Sequence, residues 1–246
     1  RDLCGGVMNA IPIYLGYDPR ESAAFTVCAQ SIIENASAPV AIIPLALHLL
    51  RDYEEQHTDG TNQFIYSRFL VPHLERYGWH NTHAIYLDGD MLVRGDIIEL
   101  WNLRRHDVGV QVVKHEYKTT AAKKYLGTEL EAPNENYPCK NWSSVMIWNC
   151  RFMENRKLTP DFVQKQTGKF LHRFEWLSPN RVGTIPIEWN WLVGEYPTND
   201  DAKLLHHTLG SPALGGQYAH VEGATEWRQT MQRALAPLMG PGGTEG

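Results

Sequence analysis

Residues 86–93 read YLDGDMLV, and this stretch decides both the fold and the kind of site that the sequence predicts. The apolar run 84–87 has the pattern of a buried β-strand, and it stops at Asp88, Gly89 and Asp90. Ligands of α/β sheets bind beyond the carboxyl ends of the strands, which is where these acids would lie. Gly89 lets the backbone bend, so both carboxylates can converge on one point. Two such oxygen ligands suit Mg²⁺ or Mn²⁺ and leave room for phosphate oxygens.

The same residues are also compatible with a plain turn. Asp88-Gly89 is a common turn pair, and an Asp-x-Asp pattern arises by chance in many sequences. Two features favour the metal site. The pattern directly follows a hydrophobic strand, and residues 91–97 show no alternating second strand of a hairpin.

Strand and helix patterns alternate along the rest of the chain, which predicts an α/β fold. The run 11–17 reads as a strand, and a helix follows with Asp18 as N-cap, Pro19 in its first turn and Glu21 completing a capping box. Further strands are predicted at 40–45, 84–87, 108–113, 145–148 and 203–206, and helices at about 19–35, 62–77 with a kink at Pro72, 159–168 and 225–238. We expect one domain over residues 1–239 and a disordered glycine-rich tail over residues 240–246.

Composition excludes some classes of protein. The chain has 246 residues, 43% of them hydrophobic, and a net charge of -5, which argues against a nucleic-acid binder. Its four cysteines form no C-x-x-C pair, so free thiols in a reducing compartment are expected. The chain has no apolar run as long as a membrane span. These features together predict a cytoplasmic location without a transmembrane segment.

Residues 86–93, with 95–97 and Leu100-Trp101, resemble the Asp-x-Asp region of glycosyltransferase family 8. That family includes the glycogenins and bacterial lipopolysaccharide galactosyl- and glucosyltransferases. The resemblance extends roughly over residues 11–212, and its other pieces are 11–18, 66–72, 185–190 and 207–212, which are similar to the first strand, the Tyr-x-Arg helix, the Trp-Asn segment and the His-x-x-Gly motif of the family.

This resemblance implies a GT-A fold, a Rossmann-like mixed sheet flanked by helices in a single domain. It implies a nucleotide-sugar donor, commonly linked to UDP, a divalent metal, commonly Mn²⁺, and sugar transfer with retention of configuration. Asp88, Asp90 and His207 would be the metal ligands. The motifs imply further donor-binding residues, which are Gly16, Tyr17 and Asp18 at the nucleoside, Arg68 and Asp88 at the phosphates or sugar, and Gly210 where backbone approaches the phosphates. Ser143 and Ser144 stand in place of other residues of the family and are candidates to bond sugar hydroxyls.

Several of these residues also have ordinary structural interpretations. His207 follows another histidine and could lie in the core, Arg68 could form a salt bridge, and Tyr17 could pack as a core aromatic. The order and spacing of the motifs together favour the functional interpretation.

The sequence departs from the family pattern in three places. Residues 211–215 read SPALG, so the lysine that follows the His-x-x-Gly motif is absent, and phosphate binding would depend on the metal, Arg68, backbone amides or a basic residue elsewhere. Residues 141–144 read NWSS in place of Asn-Ala-Gly. Residues 171–176 read LHRFEW in place of Asp-Gln-Asp, which leaves His172 or Glu175 as candidates to face the donor sugar and no catalytic residue assigned.

Two alternative functions stay open. A sugar nucleotidyltransferase would share the sheet and the metal carboxylates, but it needs a glycine-rich basic loop after the first strand, which residues 16–21 (GYDPRE) do not provide. A non-catalytic nucleotide-sugar or carbohydrate-binding protein could have kept the fold without the activity. The acceptor, a carbohydrate or another molecule, is not specified by the sequence.

Overall fold

Short strands and helices alternate along residues 10–77 and 81–236, which are the residues that this computed structural model describes. The strands are β1 (Ile11–Tyr17), β2 (Val40–Ala46), β3 (His83–Leu87), β4 (Met91–Val93), β5 (Val110–Val112), β6 (Lys123–Lys124), β7 (Ala132–Pro133), β8 (Val145–Asn149), β9 (Val182–Thr184), β10 (Trp191–Leu192) and β11 (Leu204–His206). The α-helices are α1 (Ser22–Glu34), α2 (Val71–Tyr77), α3 (Ile97–Asn102), α4 (Pro160–Lys165), α5 (Gly168–His172) and α6 (Ala224–Leu235).

The main sheet has six strands in the order β2-β1-β3-β8-β5-β9. β1 pairs in parallel with β2 and β3, whereas β8 runs antiparallel to both of its neighbours, β3 and β5. A second sheet of three strands, β10-β11-β4, begins immediately after the turn that follows β3. This architecture confirms the predicted mixed α/β sheet flanked by helices.

The central strands are buried on both faces, because helices and loops cover both sides of the sheet. Ile13, Ile85 and Ile147 lie side by side on one face, and the neighbouring pair Tyr14 and Tyr86 lies on the other. All five side chains are 1% exposed or less. The alternation of strand side chains therefore divides the core into two hydrophobic layers.

The start of α1 is only partly as predicted. Asp18 is the N-cap of a short 3₁₀ turn over Pro19–Glu21, and its Oδ1 accepts a hydrogen bond from the backbone N–H of Arg20 at 3.0 Å. α1 follows from Ser22. The predicted capping box is wrong, because Glu21 makes no capping hydrogen bond and its side chain is buried.

Two other predicted helices have different boundaries. The segment 62–77 contains a 3₁₀ turn at Ser67–Leu70 and then α2, so the break comes just before Pro72, where a missing N–H is tolerated. The predicted helix 159–168 is two helices, and Gly168 begins α5 instead of ending α4. Thr167 caps α5 by accepting a hydrogen bond from the Phe170 N–H at 3.2 Å. The predicted tail, residues 240–246, lies outside the described residues.

Two features bear on cellular location, the lengths of the helices and the state of the cysteines. Within residues 10–77 and 81–236, the structure has no helix that is long and apolar enough to cross a membrane. Cys28, Cys139 and Cys150 carry free thiols, and Cys4 lies outside those ranges. The cytoplasmic location stays a prediction.

Gly89 lies where the ends of β1 and β3 approach each other. A Cβ at this position would lie well inside 3.0 Å of the Gly16 carbonyl oxygen, a separation that real Cβ atoms do not adopt. Because the obstacle is backbone, no side-chain rotation can relieve it. Glycine at position 89 therefore lets the two strand ends meet, and this contact fixes the turn that carries Asp88 and Asp90.

We expect Gly89→Ala to destabilise the protein by about 3 kcal/mol, the upper end of typical overpacking, which lowers the melting temperature by about 6–12 °C. Gly109→Ala is a matched control, since its new Cβ would meet only side-chain atoms of Leu177 and Phe152 at 3.0 Å, which can move. Thermal unfolding of both variants measures the difference. Equal melting temperatures would show that the turn is free to shift.

Candidate metal centre

Two acids and a histidine from different strands meet at the carboxyl end of β3. Asp88 and Asp90 lie in the turn after β3, and His206 ends β11, which pairs antiparallel with β4 and brings His206 opposite Met91. One ligand atom from each of Asp88, Asp90 and His206 lies within 4.8 Å of the others. The three residues are 7%, 5% and 2% exposed. We refer to Asp88, Asp90 and His206 as the metal cluster.

Hydrogen bonds determine which nitrogen of His206 faces the acids. The Asn190 amide donates from Nδ2 to the Asn141 carbonyl at 3.1 Å, which turns its Oδ1 towards His206. His206 Nδ1 donates to that oxygen at 2.9 Å, so Nε2 faces Asp90 Oδ1 at 3.3 Å and Asp88 Oδ2 at 3.9 Å. Carboxylate oxygens cannot donate to a lone pair. A hydrogen-bond donor or a cation, such as a metal ion, between Nε2 and these oxygens would therefore satisfy all of them.

Asp90 and His207 support the metal interpretation, because each carries a buried polar atom that has no hydrogen-bond partner among residues 10–77 and 81–236. Asp90 Oδ1 and His207 Nδ1 are two such atoms. His207 donates from Nε2 to the Glu222 carbonyl at 3.1 Å, which leaves a lone pair on Nδ1. Burial lowers the pKa of His207 to about 4, so this ring is neutral at pH 7. Carboxylates with a neutral imidazole form a donor set that fits Mn²⁺.

The sequence predicted His207 as the third ligand and missed His206. The structure brings His206 into the metal cluster and places His207 next to it, with the His207 N–H bonded to the Asp90 carbonyl at 3.1 Å. The assignment of His207 as a ligand stays a prediction. The two consecutive histidines at the end of a predicted strand were the available signal for His206.

Arg68 forms a buried ion pair with the metal cluster. Its Nη1 lies 2.9 Å from Asp88 Oδ1 and also donates to the Ser143 carbonyl at 2.9 Å. The guanidinium lies 5.5 Å and 5.2 Å from the ring centroids of Phe64 and Tyr86, and the Tyr86 hydroxyl donates to Asp88 Oδ1 at 2.7 Å. Arg68 is only 4% exposed. These contacts hold the Asp88 carboxylate in one orientation.

The predicted nucleoside residues lie at the end of β1. Tyr17 is half-buried and meets the Phe25 ring edge-on at 5.1 Å. Burial alone would raise the pKa of Asp18, but hydrogen bonds from Arg20 and from the Gln63 N–H hold it below its ordinary value. The Asp18 carboxylate therefore already fixes the loop near residue 63. The nucleoside role of Gly16, Tyr17 and Asp18 stays a prediction.

The two predicted serines, Ser143 and Ser144, make hydrogen bonds in the surroundings of the metal cluster. Asp88 donates its N–H to the Ser144 carbonyl at 3.0 Å. Ser143 Oγ lies 2.8 Å from His172 Nδ1, and burial lowers the pKa of His172 to about 3. Glu175, the other candidate to face the donor sugar, is exposed. His172 is thus linked to Asp88 indirectly, through Ser143 and Arg68, whereas Glu175 is exposed.

Gly210 occupies a position that requires glycine. Its φ of +147° is rare for other residues, and a Cβ there would lie 2.6 Å from the ring of Tyr218.

A pocket of about 440 Å³ has His172, Tyr66 and Tyr137 among its lining residues. This volume lies in the range of small-molecule pockets.

Solved structures with the same arrangement of sheets are glycosyltransferases. The WbbM bifunctional glycosyltransferase matches with a TM-score of 0.65 and 15% identity, over 91% of this chain and 50% of that chain. Galactosyltransferase LgtC, solved with donor and acceptor sugar analogues, matches with a TM-score of 0.55 and 14% identity, over 91% of this chain and 96% of that chain. GlyE of Streptococcus pneumoniae matches with a TM-score of 0.54 and 13% identity, over 94% of this chain and 63% of that chain. The chain thus spans half the length of WbbM.

The fold, with an Asp-x-Asp turn at the end of β3, is that of the GT-A glycosyltransferases. The chain is 39% identical over 210 residues to Protein CDI of Arabidopsis thaliana. The aligned region covers 81% of this chain and 78% of that protein. This protein therefore belongs to the same family as Protein CDI. No protein-family model matches the chain.

Proposed function

We propose that this protein is a glycosyltransferase that transfers a sugar from a nucleotide-sugar donor, and that it is a divergent member of glycosyltransferase family 8. The observation that carries the proposal is the buried metal cluster at the carboxyl end of β3. Asp88, Asp90 and His206 offer oxygen and nitrogen ligands there, and His207 offers a further lone pair. The GT-A fold supports the proposal, since ligands of α/β sheets bind beyond the carboxyl ends of the strands, and this turn follows the carboxyl end of β3.

The residues of the site suit the departure of a nucleoside diphosphate. A divalent metal bound there, Mn²⁺ or Mg²⁺, would neutralise the charge that builds up on the diphosphate as the glycosidic bond breaks. Asp88 and Asp90 supply the anionic ligands, and the histidine favours Mn²⁺ over Mg²⁺. Arg68 keeps Asp88 oriented, and Asn190 keeps the Nε2 lone pair of His206 directed at the site.

The donor base and the stereochemistry are proposed from the family resemblance. We assign uracil as the base, so that the donor is a UDP-sugar. We assign retention of the anomeric configuration as the stereochemical outcome. The end of β1 is where we place the nucleoside, and the pocket beside His172 offers room for a sugar ring. Because burial lowers its pKa to about 3, His172 is neutral at pH 7 and cannot act there as a general acid.

A thermal-shift screen tests the proposal directly. UDP, GDP and CMP are each added with and without Mn²⁺. A nucleotide at about 100 times its Kd stabilises the folded state by about 2.7 kcal/mol, which raises the melting temperature by about 5–10 °C. We expect this shift with UDP and only when Mn²⁺ is present. The absence of a shift with every pair would contradict the proposal.

A non-catalytic binding protein is the second candidate, because the segment 171–176 has an exposed Glu175 and no acid aligned with the metal cluster. Consumption of the donor separates the two. Transfer of the sugar from a UDP-sugar to water or to an added sugar, with release of UDP, identifies the transferase. Metal-dependent binding of a donor that is never consumed identifies the binding protein, and release of diphosphate from UTP and a sugar phosphate identifies a nucleotidyltransferase.

A further inference from the structure

A lysine from the segment between β5 and β8 faces the metal cluster. Lys124 lies in β6, and its Nζ donates to Thr61 Oγ1 at 3.1 Å. Burial lowers the pKa of Lys124, and the nearby carboxylates of Asp90, Asp88 and Glu21 counteract that effect. The next residue, Tyr125, is 2% exposed, and its hydroxyl lies 3.5 Å from Asp90 Oδ2. Lys124 therefore brings a positive charge to the edge of the metal cluster.

Lys124 is not consumed by a salt bridge. An ammonium group has three hydrogen-bond donors, and Thr61 takes one of them. Among residues 10–77 and 81–236, no carboxylate oxygen lies within 4.0 Å of Nζ. The ammonium thus lies among acids without contacting any of them, so at least one donor remains for a ligand.

Glu21 gives an independent sign that this space receives a ligand. Its side chain is 8% exposed, and neither of its carboxylate oxygens has a hydrogen-bond partner among the described residues. A buried carboxylate without a donor is costly. Glu21 also leaves the capping position at the start of α1 that its local sequence would favour. An orphaned carboxylate calls for a hydrogen-bond donor such as a hydroxyl group, which the sugar parts of a nucleotide-sugar carry, so a phosphate oxygen is expected at Lys124 and not at Glu21.

The segment that carries Lys124 is anchored to the His-x-x-Gly motif. The Tyr125 N–H donates to the Leu209 carbonyl at 2.7 Å. The Leu126 N–H donates to the hydroxyl of Tyr218 at 2.7 Å, and the Tyr218 ring packs on Gly210. Lys124 thereby reaches the metal cluster from beside residues 207–210, where the resemblance expects a phosphate-binding lysine that this sequence lacks.

We propose that Lys124 binds the diphosphate of the donor and takes the place of the lysine that is missing after Gly210. The proposal rests on the proposed function. An ammonium group is a compact charge that suits a phosphate oxygen, and its position beside Asp88 and Asp90 lets it act on the same diphosphate as a bound metal. The diphosphate is then held by two cations. One is the metal ion bound at Asp88 and Asp90, and the other is the ammonium group of Lys124 in β6.

Calorimetric titration tests this role with two probes, Mn²⁺ alone and the Mn²⁺ complex of inorganic diphosphate. Lys124→Met is expected to bind the diphosphate complex about 10- to 100-fold more weakly than the wild type, the usual loss for a charge-assisted hydrogen bond. Its affinity for Mn²⁺ alone is expected to be unchanged or higher, because a nearby positive charge is gone. Lys124→Arg is expected to retain diphosphate binding within a few-fold.

Lys123→Met is the matched control, since Lys123 is the preceding residue of β6, is exposed and pairs with Glu131. We expect it to bind both probes like the wild type. Unchanged diphosphate affinity in Lys124→Met, with tighter Mn²⁺ binding, would show that Lys124 only balances the acids and would overturn the proposal. If Lys124→Met does not fold, Lys124→Gln is titrated in the same way, with the same two outcomes.

The two levels of inference fail differently. A wild-type protein that binds neither a nucleotide nor the diphosphate complex contradicts the proposed function, and the role of Lys124 falls with it. A wild-type protein that binds the complex, together with a Lys124→Met variant that binds it equally well, contradicts only the role of Lys124.

Discussion

An Asp90→Ala variant is expected to fold normally and to lose its metal-dependent donor turnover by about 1000-fold or more, since a bound metal contributes several kcal/mol of charge stabilisation in such reactions. Asp90 Oδ1 is buried and lies 3.3 Å from His206 Nε2. Burial alone would raise the pKa of Asp90, but His206 and His207 hold it below its ordinary value, whereas Asp88 and Glu21 repel the carboxylate. Because attraction and repulsion oppose each other here, we expect a melting temperature close to that of the wild type.

Nucleotide release in the presence of Mn²⁺ measures the turnover, and circular dichroism measures the melting temperature. Asp96→Ala is the control, because Asp96 is the N-cap of α3 and accepts a hydrogen bond from the Ile98 N–H at 3.0 Å. Its loss should cost about 0.5–2 kcal/mol of stability and leave turnover unchanged. Wild-type turnover and Mn²⁺ response in Asp90→Ala would remove Asp90 from the metal site.

Local signals made much of the fold predictable. The apolar run before Asp88 marks the end of β3, and the Asp18-Pro19 pair marks where β1 ends and a helical segment starts. Gly89 was also visible in the sequence as the residue that lets the chain bend between two acids. Each of these signals depends on neighbours within a few positions, which is the range that periodicity and capping rules describe.

Contacts between distant segments were not predictable in the same way. The choice between His206 and His207 depends on the register of β11 against β4, and a shift of one residue would exchange their faces. Lys124 lies in a two-residue strand with no periodic pattern. Glu21 belongs to a strong local capping motif, but its side chain is buried and makes no capping hydrogen bond. The sequence therefore pointed to the Asp-x-Asp turn, but not to the residues that the fold brings next to that turn.

Removal of Arg68 has the largest effect on stability that we expect for a single residue. Arg68→Met leaves the buried Asp88 carboxylate without its ion-pair partner at 2.9 Å, and such a loss typically costs about 3–5 kcal/mol. For a chain of this length that lowers the melting temperature by about 6–20 °C. Thermal unfolding of the metal-free protein measures this change without any contribution from ligands.

A double-mutant cycle shows whether the ion pair is the cause. Asp88→Asn in the Arg68→Met background removes the uncompensated charge, so the double variant should be more stable than Arg68→Met alone. Arg68→Lys should fall between the wild type and Arg68→Met, because an ammonium group keeps the charge but loses the hydrogen bond from Arg68 Nε to the Phe64 carbonyl and the packing of the guanidinium near the Phe64 and Tyr86 rings. Additive losses in the double variant would mean that Arg68 stabilises the fold by packing against Phe64 and Tyr86. Coupled losses would mean that Arg68 stabilises the fold mainly through its buried ion pair with the Asp88 carboxylate.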